Sequence, residues 1–195
     1  MKKIKDRHIL GIVSGLCGSV VKTVIDEVSL RNKISKRSYR ETAAGVWVNS
    51  RREATSWKGN VLGGMMDAGL SMLGGIIKVN LLSKNGRDHY IAKGAFYGVT
   101  YGSIVGALMS GFSTNKVKPK DAASNLSYVL CNAAYGMVTT VVASHIGDDS
   151  IFDSQPINDS LKSTIQTTEQ LLKSNSHNYF PKYNSENNLI DTHLN

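Results

Sequence analysis

Two long stretches without formal charge constrain this chain more than any other feature. Residues 94–115 (GAFYGVTYGSIVGALMSGFSTN) run for 22 positions with no charged side chain, and residues 122–147 (AASNLSYVLCNAAYGMVTTVVASHIG) run for 26 with only His145 titratable. A helix needs about 20 mostly apolar residues to cross a hydrocarbon core about 30 Å thick, so both are long enough. Neither shows the polar stripe of a helix on the surface of a soluble protein. Residues 8–25 are apolar apart from Lys22, and residues 59–82 apart from Asp67 and Lys78. Long cationic side chains near helix ends can snorkel to the interface, an escape open to Lys22 and Lys78 but not to Asp67.

The mean hydropathy of -0.18 and net charge of +8 would suit a basic soluble domain, but they average two unlike regions. Residues 1–147 hold all 18 glycines and 20 of the 23 Lys and Arg, whereas residues 148–195 hold 3 basic and 7 acidic side chains. The expected organisation is a helical membrane domain over 1–147, with helices near 8–28, 59–82, 92–113 and 122–147, followed by a polar tail over 148–195. Within the tail, Pro156 and a cap at Asn158 or Asp159 predict a short amphipathic helix near 158–173, with Leu161, Ile165 and Leu172 on one face. The short polar connections 83–93 and 116–121 make neighbouring helices antiparallel. The expected fold is therefore all-α: four transmembrane helices in an antiparallel bundle. Glycine density points the same way, since Gly inside a soluble helix costs about 1 kcal/mol relative to Ala but lets membrane helices approach closely.

Between the first two predicted helices, residues 30–58 carry Arg31, Lys33, Lys36, Arg37, Arg40, Arg51, Arg52 and Lys58. The apolar piece at 42–50 (TAAGVWVNS) is too short to cross a bilayer. With Trp47 inside it and Trp57 nearby, it suits an interfacial or re-entrant segment at the headgroup level. At the N-terminus, Lys2, Lys3, Lys5 and Arg7 precede an apolar run as in a signal peptide, but Leu16 stands before Cys17 and no small-x-small site follows. An uncleaved first helix is expected.

Gly94, Gly98, Gly102 and Gly106 recur at i, i+4 and form a groove along one side of the third helix; Gly11 and Gly15 repeat the spacing in the first. Packing within one four-helix unit explains them more simply than a ring of identical helices. Asp67 is the most informative ionisable residue, because a carboxylate in mid-membrane costs about 2.5–3.5 kcal/mol on insertion scales and faces the bundle interior. Lys22 and Lys78 are its candidate partners, while Asp26 lies at i+4 from Lys22 and competes for it. Asn132, seven residues from Asn125 and from Thr139, is a candidate interhelical hydrogen-bonding group.

No enzyme signature is present. The five histidines show no ligand spacing and the two cysteines, Cys17 and Cys131, cannot make a zinc site or a disulfide framework. No catalytic, cofactor-binding or metal-binding residue is assigned. The basic residues flank apolar segments, which makes lipid phosphate rather than nucleic acid their counter-ion.

The segments KDRHILGIVSGLCGSVVKTVID (5–26), YIAKGAFYGVTYG (90–102), PKDAASNLSYVLCNAAYG (119–136) and IGDDSIF (146–152) give the chain its wider affinity. Over about residues 1–152 it resembles a family of uncharacterised small four-helix integral membrane proteins of Gram-positive, largely endospore-forming bacteria. The resemblance implies four membrane helices and supplies no activity. The more polar second helix and the added tail depart from it. The functional expectation is a non-enzymatic scaffold or interaction protein of a bacterial cytoplasmic membrane, with the lipid bilayer, a second copy or a tail-bound protein as partner. The alternatives are a small ion or solute transporter or channel using Asp67, and a soluble all-α binding domain.

Overall fold

The computed structural model describes residues 3–118 and 121–152, and the expected amphipathic helix at 158–173 lies outside them. Four long helices dominate: α1 (Arg7–Arg31), α4 (Trp57–Asn85), α5 (Tyr90–Gly111) and α6 (Ala122–Ile146). Short helices α2 (Tyr39–Ala44) and α3 (Arg51–Ala54) fall between α1 and α4, and α7 (Asp149–Phe152) follows α6. No strand is formed among the described residues. Among the described residues three helices, α1, α4 and α6, are long and apolar enough to cross a membrane. The 22-residue α5 falls outside that group, because its tyrosines, serines and glycines dilute its aliphatic content.

The long helices other than α5 start where a side chain satisfies their free amides. Asp6 accepts from the amides of His8 (2.7 Å) and Ile9 (2.8 Å) ahead of α1. Ser38 and Glu41 form a reciprocal capping box on α2, Ser56 caps α4 through the Gly59 amide, and Asp121 caps α6 through the Ser124 amide. The turn into α5 needs a positive φ, supplied by Gly86 at 79°.

Helix α1 lies between α4 and α6, α5 packs along α6, and α2 packs on α4. These contacts are close because the surfaces are small. A side chain at Gly11 or Gly15 would strike the α4 backbone at Ile76 or Ser71, and one at Gly94 or Gly98 would strike α6 at Gly136 or Asn132. Gly102 receives the Asn132 side chain. Gly106 departs from the expected groove: nothing lies within 4 Å of a side chain placed there. An i+4 step overshoots a full turn by about 40°, so three steps from Gly94 carry Gly106 off the α6 contact.

The apolar core is divided. At one end Leu10, Val79, Leu82, Ala143, Ile151 and Phe152 cluster; at the other Tyr39, Ala43, Val105, Met109 and Tyr128 do. Residues 148–152, expected to begin the tail, instead belong to the bundle. The Ile4 amide donates to the Ile146 carbonyl (2.9 Å), the Asp148 amide to the Ile4 carbonyl (2.9 Å), and Ser83 Oγ to the Ile151 carbonyl (2.6 Å). The 42–50 segment does not lie wholly on the surface either. Thr42, Ala43, Ala44 and Gly45 are buried, while Trp47 stays 68% exposed.

Candidate functional site: a buried charge cluster

Between the two apolar clusters the interior is polar. On α1 the buried side chains include Ser14, Ser19, Lys22, Asp26 and Ser29, while Ile9, Val13, Leu16, Val20, Val24 and Val28 face outward. On α4 the buried set includes Asp67, Ser71 and Lys78, with Val61, Met65, Leu73 and Ile77 outside. Charged groups so enclosed must be paired or hydrogen-bonded, since burying a charge alone costs several kcal/mol.

Lys22 Nζ forms an ion pair with Asp67 Oδ1, joining α1 to α4. The two side chains are 5% and 4% exposed, so the pair is shielded from water. Of the two cations proposed for Asp67 on sequence grounds, the fold brings Lys22 to it. Asp26 is otherwise engaged: its Oδ2 accepts from the Tyr39 amide (2.8 Å), which anchors the start of α2 to α1, and its Oδ1 has no hydrogen-bond partner. Neither Lys22 nor Lys78 reaches the protein surface. They are 4% and 1% exposed, held inside the bundle by their polar and aromatic contacts.

Lys78 has no ion-pair partner among the described residues. Its Nζ lies 4.1 Å from the ring centroid of Tyr135 and 4.6 Å from that of Tyr101, and 3.5 Å from the Gly74 carbonyl. Tyr135 is shared, since Lys22 Nζ lies 5.5 Å from the same ring and 4.4 Å from that of Tyr39. Desolvated cation–π contacts are worth about 2 kcal/mol or more, enough to offset part of the cost of each buried ammonium. The tyrosine hydroxyls close the cluster: Tyr135 Oη donates to the Ser71 carbonyl (2.6 Å) and Tyr101 Oη to the Leu70 carbonyl (2.7 Å). Ser71 Oγ is buried without a partner. Burial, followed by the nearby Asp67 carboxylate, pushes the Tyr39 hydroxyl well above the usual phenol range, so it stays protonated.

Asn132 lies beside this cluster but bonds within its own helix. Its Nδ2 donates to the Tyr128 carbonyl (2.8 Å), and Thr139 Oγ1 likewise donates to that of Tyr135 (2.7 Å). The expected interhelical amide bond is replaced by a packing role, with Asn132 filling the notch above Gly102. Sequence reasoning missed the tyrosines. Tyr39, Tyr101 and Tyr135 come from three different helices, and only the fold brings them to the two lysines. No group of His, Cys, Asp and Glu suited to a metal ion occurs among the described residues. No protein family, curated protein or solved structure is matched by this chain.

Proposed function

We propose that the chain is a multi-pass protein of a bacterial cytoplasmic membrane, with α1, α4, α5 and α6 crossing as an antiparallel bundle, and that it acts as a non-enzymatic scaffold. The inverted polarity of the bundle's middle carries this reading: between the two apolar end clusters its buried residues are chiefly charged groups, serines and glycines, while many large aliphatic side chains, among them Val20, Val24, Met65, Leu73 and Leu130, face outward. A soluble all-α domain buries its aliphatic residues, whereas helices in lipid associate through small and polar ones. Helix α5 shares the pattern, exposing Ile91, Phe96, Ile104 and Leu108 while burying Gly94, Gly98 and Gly102 against α6. At 22 residues it is about 33 Å long, enough to cross. The antiparallel order is supported at the helix ends, where Ile4 meets Gly147 and Lys93 Nζ donates to the Asn85 carbonyl.

One end of this bundle is strongly basic. The 30–58 segment and the 112–118 loop carry ten Lys and Arg, against six at the opposite end among the described residues. The positive-inside rule puts the basic end in the cytoplasm and the opposite end, with Lys3 and Phe152, across the membrane. Alkaline carbonate washing tests the membrane assignment: the protein stays in the pellet until detergent is added, and release by carbonate alone refutes it. An alkaline phosphatase fusion after Phe152 tests the orientation, with activity expected.

A second reading, a small ion or solute transporter working through Asp67, is favoured by Lys78, a buried lysine with no carboxylate partner among the described residues, and by Ser71, whose hydroxyl is buried without a hydrogen-bond partner. Its test is flux into liposomes. Transport lost in Asp67→Asn and Lys78→Met supports it, and flux equal to protein-free liposomes refutes it.

A further inference from the structure

The basic end contains a pocket that the buried cluster does not use. Its volume is about 370 Å³, within the roughly 300–1,000 Å³ range of small-ligand clefts. Lys36, Arg37, Arg51, Lys116 and Lys118 line it, with Asp121 as the one carboxylate. The cations come from three separate segments: the turn after α1, the first residue of α3 and the loop before α6. None of the five forms an ion pair among the described residues. Asp121 is occupied as a helix cap, accepting from the Ser124 amide (3.0 Å) and hydroxyl (2.8 Å).

The pocket is built rather than a chance gathering of surface lysines. Asn115, 5% exposed, pins its floor: Nδ2 donates to the Thr42 and Met109 carbonyls (3.2 and 2.9 Å), and Oδ1 accepts from the Val117 amide (2.9 Å). The Lys116 amide donates to the Gly45 carbonyl (2.9 Å), and a side chain at Gly45 would collide with Asn115 and Val117. On the other wall, the Lys36 amide donates to Ser124 Oγ (3.0 Å) and the Arg37 carbonyl accepts from Tyr128 Oη (2.7 Å). Folding thus assembles like charges that repel one another, and an anion would relieve that repulsion.

We propose that this pocket binds the phosphate of an anionic phospholipid headgroup. Arginine offers a phosphate paired N–H donors and lysine a point charge, and basic pockets at the cytoplasmic ends of membrane helices suit such headgroups. The lipid source is favoured over a soluble phosphate compound by the exposed Trp47, just after α2, and Trp57, the first residue of α4, 68% and 79% accessible, which mark this end as lying at headgroup depth. The proposal rests on the membrane reading above.

The test uses the full-length protein in neutral detergent micelles, with thermal unfolding as the readout. Doping the micelles with phosphatidylglycerol raises Tm by about 3–5 °C relative to phosphatidylcholine, as expected for a ligand well above its Kd. Arg37→Gln with Lys116→Gln abolishes that shift, because both residues use only backbone atoms in the bonds that build the pocket. Arg52→Gln with Lys58→Gln, basic residues at the same end outside the pocket, keeps it. Equal loss in both variants, or no shift in the native protein, overturns the proposal. An equal shift from inorganic phosphate overturns the lipid assignment. A protein that resists carbonate extraction yet ignores phosphatidylglycerol fails on the pocket alone, whereas carbonate release fails the membrane reading instead.

Discussion

Lys22 of α1 and Asp67 of α4 meet as a shielded ion pair 45 positions apart in the chain, and that pair ties together the two helices that enclose the bundle's polar middle. Removing one partner strands the other. Asp67→Leu is expected to destabilise the protein by about 3–5 kcal/mol, because Lys22 stays buried without its counter-ion. The double variant Lys22→Met, Asp67→Leu recovers most of the loss. Denaturant titration in detergent measures both, and full additivity of the two single losses would refute the coupling.

The glycine row on α5 predicts opposite outcomes at two positions with the same spacing. Gly98→Ala forces a methyl against the Asn132 backbone and is expected to cost about 1–3 kcal/mol. Gly106→Ala faces open space and gains up to about 1 kcal/mol from helix propensity. Melting temperatures of the two variants decide the matter.

Phe152 is 2% exposed in the cluster with Leu10 and Val79, and the Arg87 guanidinium lies 4.9 Å from its ring centroid. Phe152→Ala is expected to cost about 3–5 kcal/mol, and truncation after residue 147 as much or more. If residues 148–152 were merely tail, neither change would move the unfolding midpoint.

Cys17 is exposed on the outward side of α1, whereas Cys131 is buried. A fluorophore on Cys17 in the Cys131→Ser protein should be quenched by brominated acyl chains and not by aqueous iodide. Iodide quenching would contradict a lipid-facing α1.

Acid should loosen the end that joins the N-terminal segment to α7. Hydrogen bonds from Arg87 (2.7 Å) and Lys3 (3.1 Å) hold the Asp149 carboxyl below its ordinary value. A depressed carboxylate contributes stability above its unfolded pKa and loses it as pH falls through the folded one. The protection of the Ile4 and Asp148 amides, taken as exchange relative to the intrinsic rate at each pH, should therefore fall on acidification below the ordinary carboxylate range, and Asp149→Asn should weaken that dependence while Asp148, held low by its bonds from Ser150, retains part of it.

Much of this architecture was legible in one dimension. The expected helices at 92–113 and 122–147 lie within two residues of α5 and α6, because helix length and apolar content are local properties. Asp67 and Lys22 stood out for the same reason: a charge inside an apolar run is conspicuous and must find a partner. The basic pocket was not legible, since Lys36, Arg51 and Lys116 converge only after Asn115 ties the loop before α6 to the α2 segment.

The amino-acid order by itself determined the helical class, the positions of the four long helices and the need to neutralise a buried carboxylate, all of which follow from composition and spacing along the chain. Only the tertiary structure decided that Lys22 rather than Lys78 answers Asp67, that Gly106 leaves the packed groove, and that Ile151 and Phe152 close one end of the core. The physical reason is geometric. Which residues touch depends on the rotation and mutual approach of whole helices, set by many weak contacts acting together and not by any one stretch of sequence.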